Sequence, residues 1–246
     1  MDIAGYLASI LIGISLGLIG GGGSILTVPV LVYLFRLDAV LATAYSLFIV
    51  GSTSAVGSIS YFREGLVNIK TARGFGIPSI AAIFLTREYL LPAIPDTVFS
   101  LAGLTITKDI MLMLLFAMLM IAASYSMIKK DNPADNEMPS QQAFNYFQIL
   151  FQGIFIGVIT GFIGAGGGFL IIPALVNLLK LPMKTAVGTS LVIISINSLM
   201  GFIFSLPHTS VHWEFLLRIA AIAIVGIVIG SSLSAKIKAN RLKPAF

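Results

Sequence analysis

Two runs of small residues, Gly20-Gly21-Gly22-Gly23-Ser24 and Gly164-Ala165-Gly166-Gly167-Gly168, interrupt long uncharged apolar stretches of this chain. A helix broken inside an apolar medium leaves backbone N–H and C=O groups unpaired, and each costs several kcal/mol until protein, water or a ligand satisfies it. Glycine reaches φ > 0 and lets a ligand come close to the backbone. The helix that restarts after each run, near Ser24 or Gly168, aims its N-terminus at the break. Free N–H groups at a positive dipole end suit an anion. Two such ends that meet would form a small, neutral-walled site lined by amide and hydroxyl donors. Side-chain donors follow each run: Ser24, Thr43, Ser46 and Thr53 after the first, and Thr189, Ser190, Asn197 and Ser198 after the second. The expected substrate contacts are Gly20, Gly21, Gly22, Gly23, Ser24, Ser46, Gly164, Gly166, Gly167, Gly168, Thr189 and Ser190. Two plainer roles compete with this one. Glycines let membrane helices pack closely, and single serines or threonines bond back to their own helix.

Other chemistry finds little support. There are no cysteines, which removes thiolate ligands and nucleophiles. The acids Asp2, Asp38, Glu64, Glu88, Asp96, Asp109 and Glu214 all sit at segment edges or in loops, so no buried carboxylate relay is visible. Arg87-Glu88 reads as a segment end facing water. His208 and His212 have a metal-binding i, i+4 spacing. Pro207 and the lack of a third ligand make them an interfacial loop, with Trp213 as an anchor beside them. GLIGGGGS lacks the lysine of a phosphate loop. No enzyme, cofactor or metal is expected.

These glycines lie in a chain built for lipid. It is 57% hydrophobic and 10% charged, with a mean hydropathy of +1.01, whereas soluble domains carry about 25% charged residues. Uncharged runs such as Ile3–Phe35, Ala39–Phe62 and Met138–Leu179 exceed the roughly 20 residues that span a bilayer. They do not alternate as barrel strands do. The expected class is an all-α polytopic membrane protein, multi-pass in a cell membrane and most simply a bacterial inner membrane. Its partners are then the lipid bilayer and a small anionic substrate. The net charge of +5 is too small and too spread out for nucleic acid, and a homo-oligomer is compatible with it. No cleavable signal is evident, since the apolar sequence starts straight after Met1-Asp2.

Seven main apolar segments are visible: about 3–35 (broken at Gly20–Gly23), 39–61, 70–90, 107–128, 146–179 (broken at Gly164–Gly168), 185–206 and 214–236. Leu91–Thr107, with Pro92, Pro95 and Asp96, reads as an irregular loop with at most a short surface turn. The chain repeats itself. From Gly17–Gly57 to Gly161–Gly201, at an offset of 144, 17 of 41 aligned pairs are identical, including Pro29/Pro173, Ser46/Ser190 and Ser54/Ser198. The expected units are repeat 1 over 1–128, a polar cytoplasmic linker over 129–145, and repeat 2 over 146–246.

Charge decides how the broken segments lie. As a straight helix, the 33 residues of Ile3–Phe35 would reach about 50 Å, against a hydrocarbon core of about 30 Å. If both broken segments re-enter, 11 of the 15 basic residues fall on one side, and Arg36, Arg87, Lys108 and Arg218 on the other. If they span, the split is 9 to 6. The positive-inside rule prefers the lopsided count. Re-entry also gives three full crossings per copy. An odd number inverts one copy relative to the other, as alternating access in many transporters requires.

At these residues the chain resembles the TauE/SafE family, the sulfite exporters or toluene-sulfonate uptake permeases. The matching features are Gly17-x-x-Gly20-Gly-Gly-Gly with Pro29 and the Ala42–Leu47 stretch, and Gly164-Ala-Gly-Gly-Gly-Phe169 with Pro173 and AVGTSL at Ala186–Leu191. The resemblance implies movement of small sulfur-containing anions or organic acids, such as sulfite, sulfonates or thiosulfate. Members usually end with an eighth segment, and this sequence stops at Phe246 where one would begin. A secondary transporter is therefore the leading expectation. A passive anion channel and a non-transporting membrane scaffold or accessory subunit are the alternatives.

Overall fold

The structure is a computed structural model that describes residues 2–19, 23–101, 104–128, 146–164, 166–179 and 181–236. The chain opens with helix α1 (Asp2–Ile19) and resumes as α2 (Ser24–Pro29), which widens into a π-helical turn at Val30–Leu34. Next come α3 (Ala39–Arg63) and α4 (Ile69–Leu85), the latter continued by a π-helical turn at Thr86–Leu90 and the short α5 (Leu91–Ala93). A hairpin of β1 (Thr97–Leu101) and β2 (Leu104–Thr107) leads into α6 (Lys108–Ile128). The rest is α7 (Tyr146–Ile163), α8 (Gly168–Pro173) with a π-helical turn at Ala174–Leu178, α9 (Met183–Ser205) and α10 (Trp213–Lys236).

The offset of 144 reappears in the element boundaries. α1 maps onto α7 at both ends, α2 onto α8, and the first π turn onto the one at Ala174–Leu178. The starts of α3 and α4 map onto those of α9 and α10. Proline explains part of this. Pro29 and Pro173 cannot donate to the carbonyl four residues back, yet both stay inside helices, and a π turn follows each at once. Both turns close the same way: Leu37 N–H donates to the Leu31 carbonyl (3.2 Å) and Leu181 N–H to the Leu175 carbonyl (3.1 Å).

Three of the described helices, Ala39–Arg63, Met183–His208 and Trp213–Leu233, are long and apolar enough to cross a membrane, with shorter apolar helices around them. The fold is that of a multi-pass helical membrane protein. α3 and α9 form its centre, with Leu47, Ile49, Val50, Leu191, Ile193 and Ile194 buried. The outer helices show large apolar side chains outward, among them Leu7, Leu11, Ile121, Phe147, Phe151, Phe155 and Val225. A soluble monomer rarely exposes so much contiguous apolar surface, whereas lipid accepts it.

Glycines set how closely the helices approach and which way they run. A Cβ on Gly51 would lie 2.9 Å from Leu199, on Gly188 2.8 Å from Tyr61, and on Gly201 3.1 Å from Leu47. As α3 numbers rise, their α9 partners fall, so the central pair is antiparallel. α1 and α10 run parallel: a Cβ on Gly13 would meet the Gly226 Cα at 2.9 Å, and one on Gly17 the Ser231 nitrogen at 2.6 Å. α7 and α4 repeat that pairing, with Gly153 against Phe75 (2.8 Å), Gly157 against Ala82 (2.8 Å) and Gly161 against Thr86 (2.6 Å). For these glycines, close packing is the whole role.

One segment departs from the sequence reading. Leu91–Thr107 is not an irregular loop. Thr97 pairs with Thr107 and Leu101 with Leu104 in an antiparallel ladder, and Lys108 N–H donates to the Asp96 carbonyl at its base (2.9 Å). The prolines end at Pro95, and TVFSL and LTIT, rich in β-branched and aromatic residues, favour strands. The all-α description therefore carries one small hairpin.

Gly226→Ala should lower stability in detergent by about 1–3 kcal/mol, since its Cβ would press on α1 backbone. Gly76→Ala, with nothing within 4 Å of the added carbon, should be neutral or stabilising. Thermal unfolding of both purified variants checks the pair, and equal losses would refute the packing assignment.

Candidate functional site

At both glycine runs the chain doubles back. A Cβ on Gly23 would sit 2.5 Å from the Leu16 nitrogen and 2.9 Å from the Ile12 carbonyl oxygen. Eleven residues of unbroken helix would put Gly23 about 16 Å from Ile12. In the second copy a Cβ on Gly167 would meet Thr160 Oγ1 and lie 3.1 Å from Ile156, the residues 144 positions on. Gly164 (φ +72), Gly166 (φ +67) and Gly167 (φ +69) make this second turn in the left-handed region, where any other residue is strained. Gly20, Gly21 and Gly22 lie outside the described residues. Gly23 is right-handed (φ −68) ahead of Ser24, and Gly168 opens α8.

The second break is wedged against both central helices. Gly164 abuts Thr43 of α3, whose Cβ would lie 2.6 Å from an added carbon. A Cβ on Gly166 would lie 2.8 Å from Val50 of α3 and 2.6 Å from Ser198 Oγ and 3.0 Å from Ile194 of α9. Thr43, Ser46 and Val50 share one face of α3 by their i, i+3, i+7 spacing. The first turns of α2 and α8 come together here: Ile25 packs in one cluster with Phe169, Ile159, Ile163 and Phe116. Thr160 and Ser198, which carbons added on Gly167 and Gly166 would meet, are buried without a hydrogen-bond partner for their hydroxyls, as is Ser46 on the Thr43–Val50 face. Buried polar atoms are nearly always paired, so this concentration sets the place apart.

The other expected donors divide. Thr43 Oγ1 donates to the Val40 carbonyl (2.8 Å), Thr53 Oγ1 to that of Ile49 (2.6 Å) and Ser190 Oγ to that of Val187 (2.8 Å). Asn197 Nδ2 donates to Ser79 Oγ (2.7 Å) and leaves its Oδ1 unpaired. Ser24 is buried at the start of α2. Thr189 is engaged elsewhere: its hydroxyl accepts the Asn68 N–H (2.9 Å) and ties down the α3–α4 connection. Nine residues of α9 set Thr189 about 13 Å from Ser198. Ser190 sits at the same remote end.

Arg87 is the larger correction. It does not face water but is buried at 2% exposure, in the π turn that follows α4. Its Nη1 donates to Thr43 Oγ1 (3.2 Å), while Nε and Nη2 are buried with no partner. Among the described residues no carboxylate pairs with it, and its neighbour Glu88 turns away to His208 (3.5 Å). Arg87 thus stands behind Thr43, the residue that Gly164 abuts. The signal lay in spacing: Ser79, Ile83 and Arg87 are one turn apart on one buried face. In a segment apolar all round, however, nothing in the sequence marks that face as the inner one.

His208 and His212 hold no metal constellation; among the described residues no group of three or more ligating side chains comes together. His212 N–H donates to the Tyr45 hydroxyl (2.7 Å) beside a surface cleft of about 590 Å³ lined by Phe35, Trp213 and Phe215.

The family described as sulfite exporter TauE/SafE matches residues 6–246. A probable membrane transporter protein of Xylella fastidiosa is 28% identical over 233 residues, covering 94% of this chain and 84% of its own. The probable membrane transporter protein YunE of Bacillus subtilis is 26% identical, covering 92% and 85%. A further probable membrane transporter protein, from Methanocaldococcus jannaschii, is 25% identical, covering 94% and 84%. No solved structure matches the chain.

Gly167→Ala should cost about 1–2 kcal/mol for the left-handed backbone alone, plus a clash with Thr160. Adding Thr160→Ala should relieve only the clash. Thermal unfolding of the single and double variants measures the two parts, and full rescue would contradict a backbone requirement at Gly167.

Proposed function

The chain belongs to the sulfite exporter TauE/SafE family, and from that premise we propose that it is a secondary transporter of small sulfur-containing anions or organic acids, of the sulfite, sulfonate or thiosulfate kind. The observation that carries this reading is the second glycine reversal. It sets glycine backbone, the first turn of α8 and the unpaired hydroxyls of Ser198 and Thr160 at one place between α3 and α9. The run from Gly168 to Leu178 is continuous helix, α then π, so its dipole end and free N–H groups face the break. The substrate site comprises Gly164, Gly166, Gly167 and Gly168 with Ser46 and Ser198, joined from the first copy by Gly20–Gly23 and Ser24. Thr189 and Ser190 fall outside it.

Alternating access follows from an inverted repeat. α1 runs parallel to α10 and α4 parallel to α7, while α3 and α9 are antiparallel. The two copies, 1–128 and 146–246, therefore run in opposite directions, and the 129–145 linker between them is cytoplasmic. Rocking one copy against the other about the α3–α9 crossing exposes the break to each side in turn, in a bacterial inner membrane. The broken segments re-enter on the sides from which they start.

Gly166→Val puts a branched side chain between Val50 and Ser198, in a backbone region that valine avoids. In proteoliposomes loaded to test sulfite, methanesulfonate and thiosulfate, wild-type protein should accumulate at least one anion against its gradient. The variant, present in equal amount, should fall to the protein-free rate. Wild-type flux through Gly166→Val would sink the assignment. Flux that never accumulates anion would make the protein a channel. A fixed protein partner with no flux would make it an accessory subunit.

A further inference from the structure

Arg87 has a chemistry that the glycine site alone does not require. A guanidinium offers five N–H donors. This one uses a single nitrogen, Nη1, on Thr43, while Nε and Nη2 remain buried and unpaired. Those two nitrogens share one edge of the planar fork, the edge that binds two oxygens of a single carboxylate or sulfur oxyanion side by side. An arginine kept for structure would saturate its donors and pair with an acid, because an unpaired buried charge is strongly destabilising. Among the described residues no acid does so. Thr43 also fixes where the fork stands. Its hydroxyl holds Nη1 while donating to the Val40 carbonyl, and its backbone and Cβ touch Gly164. Thr86, next in the chain, packs on Gly161 one turn earlier in α7. The charge therefore stands at the mouth of the break, on the Gly164 side. It has no counterpart in the second copy, where the residue 144 positions on is Ser231.

We propose that Arg87 is the cationic anchor of the substrate, donating Nε–H and Nη2–H to two oxygens of one oxyanion beside Gly164. This rests on the transporter reading above and makes it specific. The ligand class is an anion with at least two oxygens on one sulfur or carbon, and spherical anions of equal charge are poor ligands. Thr43 is the positioning residue: it holds Nη1 and leaves the Nε/Nη2 edge free for the anion.

The test uses the full chain purified in detergent, with methanesulfonate, acetate and chloride as probes in equilibrium binding and thermal-shift measurements. Wild type should bind methanesulfonate and acetate in preference to chloride. Arg87→Gln should weaken oxyanion binding by roughly tenfold or more, while ligand-free protein melts no lower than wild type because an unpaired charge has gone. Arg87→Lys keeps the charge but loses the fork, so it should bind weakly and without preference over chloride. Thr43→Val should also weaken oxyanion binding. Wild-type affinity and selectivity in Arg87→Gln, with Gly166→Val still dead for transport, would overturn this proposal and leave the transporter standing. A lower melting point in Arg87→Gln, fully restored together with wild-type binding in Arg87→Lys, would also overturn it by making the residue structural. A wild-type protein that neither binds nor moves any of these anions would bring down both readings.

Discussion

A backbone N–H or C=O surrounded by apolar groups must find a partner, and this chain reverses direction twice in such surroundings. The requirement shapes the rest of the molecule. Such reversals cannot face lipid, and the second lies against the two central helices, α3 and α9. The outer helices then shield that centre and turn their own apolar side chains outward. At the second reversal three left-handed glycines make the turn, and hydroxyls without partners gather round it. In an ordinary core such atoms would be a defect. Under the proposed transport role they are donors held ready for a guest.

Glycine serves two separate purposes here, and the geometry distinguishes them. Gly13, Gly17, Gly226 and Gly230 are helical and bring backbones close, as do Gly153, Gly157 and Gly161 in the second copy. Their packing joins α1 of the first copy to α10 of the second, and α7 of the second copy to α4 of the first. Gly164, Gly166 and Gly167 instead adopt backbone angles that side chains avoid. The first set holds the copies together and the second opens the chain. The proposed rocking needs both properties, because rigid halves would move around a site that is not helical.

The two copies are alike in backbone but not in charge. Boundaries of α1, α2 and the following π turn recur 144 residues later, so the duplication fixed the scaffold. Arg87 and Thr43 correspond to Ser231 and Val187, so the polar lining diverged. In the proposed site, a symmetric frame with an asymmetric lining would give one bound anion a definite orientation. The Glu88–His208 contact (3.5 Å) sits beside Arg87 and links the end of α4 to the turn after α9.

Sequence alone determined the membrane class, the duplication and the positions of both helix breaks, because composition, repeat identity and glycine runs are local properties. It also fixed most segment limits: 39–61 became Ala39–Arg63 and 214–236 became Trp213–Lys236. The hairpin at Thr97–Thr107 was missed because prolines at its start masked two short strands. Tertiary structure alone decided which donors reach the break. Thr189 and Ser198 lie on the same helix, yet one ties down a loop and the other meets Gly166. Arg87 looked like a surface residue because it stands near the end of an apolar segment, next to a glutamate. Which face of a uniformly apolar helix turns inward depends on what packs against it, and for α4 that is α7 and α9, far away in the chain.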